Sequence, residues 1–196
     1  MKTKLSRVSL LCGLALLLSA GSAQALSITL ALVVTTAEPV EVGESFDVEV
    51  QIAGLADGAL PSLRAYNLTI GFDGTKIDFT GLIHSSELAP GLTGGPTEGV
   101  GTVQFTQIST ETDLTSQPDG FTLATLTFTA LVAGDWDLDF LPLVAGSLSN
   151  QSGGSLTADV ASITGDTVSV VVPEPGVLGL LALGFAAGSR QLRRKR

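Results

Sequence analysis

The chain has 196 residues, among them 19 acidic and 10 basic side chains, one cysteine and one histidine. Its middle, Leu26 to Val172, carries 18 acids against two bases, Arg64 and Lys76, a net charge of −16 that repels nucleic acid and anionic membranes. A single histidine and a single cysteine exclude a zinc site built from several such ligands and leave no disulfide framework.

Lys2, Lys4 and Arg7 precede an apolar stretch from Val8 to Leu18, and Ala23-Gln24-Ala25 follows. Basic, apolar and small-x-small segments in that order make residues 1–25 a secretory signal helix, cut by signal peptidase at the Ala23/Ala25 site. Cys12 lies inside the apolar stretch with leucines before it, which does not fit a lipidated cysteine. The mature chain, from Leu26, is then cysteine-free and depends on a packed core.

From Leu26 to Val172 the period is two rather than 3.6. Ser27 to Thr36 is a predicted strand, and in Phe46 to Ile52 the apolar Phe46, Val48, Val50 and Ile52 alternate with Asp47, Glu49 and Gln51. Further strands are predicted at Arg64 to Phe72, Val103 to Ile108, Phe121 to Val132 and around Trp136 to Phe140. A final pair falls near Ser155 to Ile163 and Thr167 to Val172. Gly54 to Pro61, Pro90 to Gly101, Ser116 to Gly120 and Gly146 to Gly154 read as connections. About eight or nine half-buried strands predict one all-β domain over 26–172, an antiparallel β-sandwich.

The last segment, 173–196, changes character. Pro173-Glu174-Pro175 stiffens the backbone. Gly176 to Ser189 is a 14-residue uncharged run, and five of the last seven residues are basic: Arg190, Arg193, Arg194, Lys195 and Arg196. As a helix the run reaches roughly 21 Å, short of a ~30 Å hydrocarbon core, so it forms a short, marginal transmembrane helix. The basic cluster stays on the cytoplasmic side. These three parts resemble the PEP-CTERM sorting signal. The resemblance implies processing by an exosortase at or near Pro173, Glu174 and Pro175. It also implies a Gram-negative-type host that makes extracellular polysaccharide.

The middle resembles a cohesin-like sandwich, a jelly roll related to certain carbohydrate-binding modules. The resemblance is carried by Val42-Gly43-Glu44-Ser45-Phe46-Asp47-Val48, Leu63 to Asp73, Lys76-Ile77-Asp78-Phe79, Leu123 to Leu131, a turn at Gly134 and Asp166 to Val170. Cohesins dock dockerins on polysaccharide-degrading enzymes, although nothing in this sequence identifies a dockerin partner.

Candidate sites are few. Tyr66, Phe72, Trp136 and Phe140 fall in register with Leu or Ile on their strands, which places them in the core rather than on a sugar-stacking platform. Asp135, Asp137 and Asp139 offer hard oxygens suited to Ca2+. However, an EF-hand loop counted from Asp135 would put Phe140 and Gly146 where it needs Gly and Glu. Period-2 spacing aims such residues at solvent, so no metal site is assigned, although the surplus of carboxylates leaves room for bound Ca2+. His84 belongs to a loop or strand edge, and no Gly-x-Ser-x-Gly elbow accompanies it. Asn67-Leu-Thr69 and Asn150-Gln-Ser152 match the glycosylation pattern by chance.

The expectation is a non-catalytic, exported surface or matrix protein with an adhesive or structural role. Its partners would be exopolysaccharide or an envelope protein, besides signal peptidase and exosortase; no nucleic acid and no cofactor are expected. A carbohydrate-binding module is the alternative, and a glycan hydrolase built on an acidic pair the remoter one.

Overall fold

The computed structural model describes residues 27–55 and 62–173. The expected signal helix with Cys12, Ala23 and Ala25 lies outside the described residues, and so do the expected short transmembrane helix, Glu174, Pro175 and the basic cluster from Arg190 to Arg196. Among the described residues no helix is long and apolar enough to cross a membrane.

Twelve strands are present among the described residues. In chain order they are β1 (Ile28–Val34), β2 (Val40–Glu41), β3 (Ser45–Ala53), β4 (Leu63–Phe72), β5 (Ile77–His84) and β6 (Gly91–Gly99). There follow β7 (Thr102–Ser109), β8 (Phe121–Ala130), β9 (Gly134–Phe140), β10 (Leu148–Asn150), β11 (Val160–Thr164) and β12 (Asp166–Val171). They form two sheets. Sheet A runs β11-β1-β3-β8-β5, and sheet B runs β2-β12-β9-β4-β7-β6, with β10 beside β4.

Alternation explains the core. Phe46, Val48, Val50 and Ile52 of β3 face inward with Leu126 and Phe128 of β8, and they meet Leu68 and Ile70 of β4 and Val103 and Phe105 of β7. Phe128 sits at the centre: its ring lies 5.6 Å from Phe46 and 5.7 Å from Phe79 on its own sheet, and 5.2 Å from Phe72 of the other. Each such fully buried ring or aliphatic side chain contributes about 1.5–3 kcal/mol through the apolar area it removes from water.

The expected eight or nine strands become twelve because β2, β5, β6 and β10 are added. β6 and β10 lie in stretches that read as connections. Almost every residue of β6 is exposed, so it pairs with β7 through backbone alone and leaves no apolar alternation to read. The strand expected from Ser155 to Ile163 divides into a 3-10 turn at Thr157–Asp159 and β11.

The expectation of a purely antiparallel sandwich is also corrected. β1 pairs with β11 in parallel, and β2 pairs with β12 in parallel. The first two and the last two strands therefore run side by side, β1 with β11 in sheet A and β2 with β12 in sheet B, so the two chain segments cross together from one sheet to the other. At the crossing the Val34 N–H donates to the Asp166 carboxylate at 2.7 Å. A side chain at Gly165 would drive its Cβ into the Leu138 carbonyl oxygen and the Asp139 carboxylate, so only glycine fits there.

Candidate functional site: two outer faces and the C-terminal exit

The outer face of sheet A is a cross-strand lattice of Thr and acid. Asp47 lies opposite Thr127, Glu49 opposite Thr125 and Gln51 opposite Thr122. The Thr127 hydroxyl donates to Asp47 at 2.7 Å, Thr122 to Glu49 at 3.1 Å, and the Gln51 amide to Glu49 at 2.8 Å. These side chains are half-buried and bonded to one another, so the face has already used much of its polar capacity internally.

The outer face of sheet B differs. Along β4, β6 and β7 only Arg64 and Glu98 carry a charge, in a domain with a net charge of −16. Asn67 lies opposite Thr106, Thr69 opposite Gln104, and Ala65 opposite Ile108. Gln104 donates to Asn67 at 3.0 Å. Beside them Leu92 pairs with Ile108, and the two are 67% and 42% exposed. The β4–β7–β6 part of this face is thus nearly uncharged, with an apolar pair at one side, whereas β9 on the other side of β4 carries the exposed Asp135, Asp137 and Asp139.

Between the sheets lies a polar cluster. The Tyr66 hydroxyl donates to the Leu123 carbonyl at 2.9 Å and has His84 Nδ1 at 2.9 Å and Gln107 Oε1 at 3.2 Å. The hydroxyl has one proton, so it is satisfied best when His84 carries its proton on Nδ1 and donates it to the tyrosine oxygen. Leu123 is the extra residue of the irregularity between β3 and β8, which turns its carbonyl toward this cluster. Burial pushes the Tyr66 hydroxyl pKa well above its usual 10.0. Burial likewise holds His84 below its usual 6.5, so the ring stays neutral. Outside His84, a shallow depression of about 370 Å3 opens between Glu49, Glu87, Phe121 and Thr122.

The remaining candidates fall where their spacing put them or short of a site. Asp135, Asp137 and Asp139 are exposed along β9, and among the described residues no three His, Cys, Asp or Glu side chains are grouped to hold a metal. Tyr66 is buried, and Phe72, Trp136 and Phe140 are half-buried against the core. Among the described residues no aromatic ring is exposed. His84 ends β5, the edge strand of sheet A. Asn67 is exposed on sheet B, whereas the Asn150 side-chain Oδ1 accepts bonds from the Ser152 and Gly154 N–H groups at 3.1 and 2.8 Å and shapes its own turn. Sequence reasoning missed Leu92 and Ile108. The available signal was parity, because Gln104, Thr106 and Ile108 alternate with the apolar Val103 and Phe105.

The chain leaves the domain at Val171-Val172-Pro173, beside the turn that follows β2, where the Val42 N–H donates to the Val171 carbonyl at 2.9 Å.

Residues 171–195 match the PEP-CTERM protein-sorting motif, which marks an exported protein handled at the cell envelope. No curated protein sequence is similar to this chain. Among solved structures, a chain from a type II cohesin–X–dockerin complex of Acetivibrio cellulolyticus superimposes with a TM-score of 0.60 at 15% identity, covering 74% of this chain and 100% of its own. The sixth cohesin of an A. cellulolyticus scaffoldin, solved with a dockerin, gives 0.56 at 14% identity over 74% of this chain and 99% of its own. A non-cellulosomal cohesin from the archaeon Archaeoglobus fulgidus gives 0.54 at 15% identity, over 76% and 94%. The chain thus carries a PEP-CTERM sorting motif behind a sandwich with the cohesin fold.

Proposed function

We propose that this is a non-catalytic, exported surface protein whose sandwich docks another envelope or matrix protein through the β4–β7–β6 part of the outer face of sheet B. The observation that carries the reading is that nearly uncharged three-strand surface, with its exposed Leu92–Ile108 pair, on an otherwise acidic domain. Interface cores are depleted of charge and anchored by apolar side chains. Some matched cohesins were solved bound to dockerins, which supports a protein partner of that general kind here. Glycan stacking has less support, since no described aromatic ring is exposed, and a link to exopolysaccharide would run through the partner.

The tail is the address. Signal peptidase acts at Ala23/Ala25. The apolar run then inserts, with Arg190, Arg193, Arg194, Lys195 and Arg196 on the cytoplasmic side, and an exosortase processes the chain near Pro173, Glu174 and Pro175 in a Gram-negative-type envelope.

Two measurements test this. Mass spectrometry of the C-terminal peptide from envelope and medium should find an end near Pro173 to Gly176, and an intact Arg196 throughout would sink the sorting claim. Capture from the host's envelope fraction by residues 26–172 should yield one defined protein, and Ile108→Arg should lower that affinity at least about tenfold, or roughly 1.4 kcal/mol. Equal capture by the variant would overturn the docking face.

A further inference from the structure

Granting the reading above, in which the tail is inserted before it is processed, we infer that the end of the sandwich from which the tail departs is a membrane-facing surface. Leu131, Val132, Val171 and Val172 rest on the lipid interface while the tail remains attached. At 45%, 39%, 38% and 66% exposure, these four are among the large apolar side chains the fold leaves in water.

Backbone hydrogen bonds gather them at one end. The Val171 carbonyl accepts from Val42 at 2.9 Å, and the Ala130 carbonyl accepts from the next residue, Gly43, at 2.8 Å. Leu131 and Val132 both donate to the Lys76 carbonyl, at 2.8 and 3.2 Å. The chain that leaves this end fixes what covers it. Only Pro173, Glu174 and Pro175 separate Val172 from the apolar run that starts at Gly176. At ~3.3–3.6 Å per residue even a fully extended chain of that length spans only about 10–15 Å. An inserted run therefore holds this end of the domain at the lipid headgroups.

The side chains around the patch suit an interface. Trp136 is half-buried and donates its Nε1–H to the Val132 carbonyl at 2.8 Å, and the Lys76 ammonium lies 5.1 Å from the centre of its ring. Aromatic rings with a polar edge and lysines with long stems are the residues that settle at headgroup level. Glu41, Glu44 and Asp135 are exposed at the same end, so the partner is a zwitterionic lipid surface rather than an anionic one.

The only tryptophan of the chain is thus a built-in reporter. The full chain, reconstituted in phosphatidylcholine vesicles with acyl chains brominated near the headgroup, should float with the vesicles and lose Trp136 emission relative to unbrominated vesicles. The double variant Leu131→Glu, Val132→Glu should float equally, melt like the parent, and recover the emission. A chain that floats with Trp136 unquenched overturns this inference alone. A chain that does not float overturns the anchoring reading and this inference with it.

Discussion

The two outer faces are built by the same alternation and end in different states. On sheet A each outward carboxylate of β3 finds a hydroxyl or amide: Asp47 with Thr127, Glu49 with Thr122 and Gln51. On sheet B the outward residues of β4 and β7 are uncharged apart from Arg64, and the paired Leu92 and Ile108 stay exposed. Pattern decides which residues face out. Whether those residues remain available is decided by the neighbouring strand, which period-2 reading does not see.

The largest effect should come from the core beneath both faces. Phe128→Ala removes a ring that touches Phe46 and Phe79 of sheet A and Phe72 of sheet B. Urea unfolding should show a loss of about 3–5 kcal/mol, with capture by sheet B failing in step. A fold that kept its stability would mean that the two faces do not share one core.

Next comes the polar bridge between the sheets. Tyr66→Phe leaves the Gln107 oxygen and His84 without their shared hydroxyl. It should cost about 1–3 kcal/mol in the same assay. Asp47→Ala sharpens the contrast between faces: it should cost about 0.5–1.5 kcal/mol by losing the Thr127 bond and leave partner capture unchanged, the reverse of Ile108→Arg. Capture that fell with Asp47→Ala would move the docking face to sheet A.

The smallest effect is on pH. With the folded His84 pKa below 6.5, the unfolded chain binds more protons between the two values. Stability is therefore full above 6.5 and declines as pH falls through the folded value. Asp73 and Asp113, held below 3.8 by hydrogen bonds from Thr75 and Thr115, act in the same direction but at lower pH. His84 is the only histidine, so His84→Gln should flatten the slope measured by urea melts at mildly acidic and neutral pH. An unchanged slope would remove His84 from the bridge.

Much of the sandwich was legible because its buried strands alternate: β3, β4, β7, β8 and β9 were each located from apolar parity. β6 was illegible because a strand paired by backbone alone writes no side-chain pattern. The parallel pairing of β1 with β11 was illegible because partners 132 positions apart leave no local trace. The sorting motif was the clearest feature of the sequence, since its proline breaker, apolar run and basic end are contiguous. The proposed docking face was the least clear, since apart from Leu92 and Ile108 it consists of ordinary Thr, Asn and Gln side chains with few charges among them.

The joint crossing of the first two and last two strands also sets a schedule. An exported chain emerges N-terminus first, and β1 gains its β11 neighbour, and β2 its β12 neighbour, only after residues 160–171 have followed. Closing so long a loop is the slow, entropically costly step of such topologies. β11 completes sheet A and β12 completes sheet B, and β12 runs directly into the motif at 171–195, so neither sheet is complete until the chain has been delivered almost to its sorting motif.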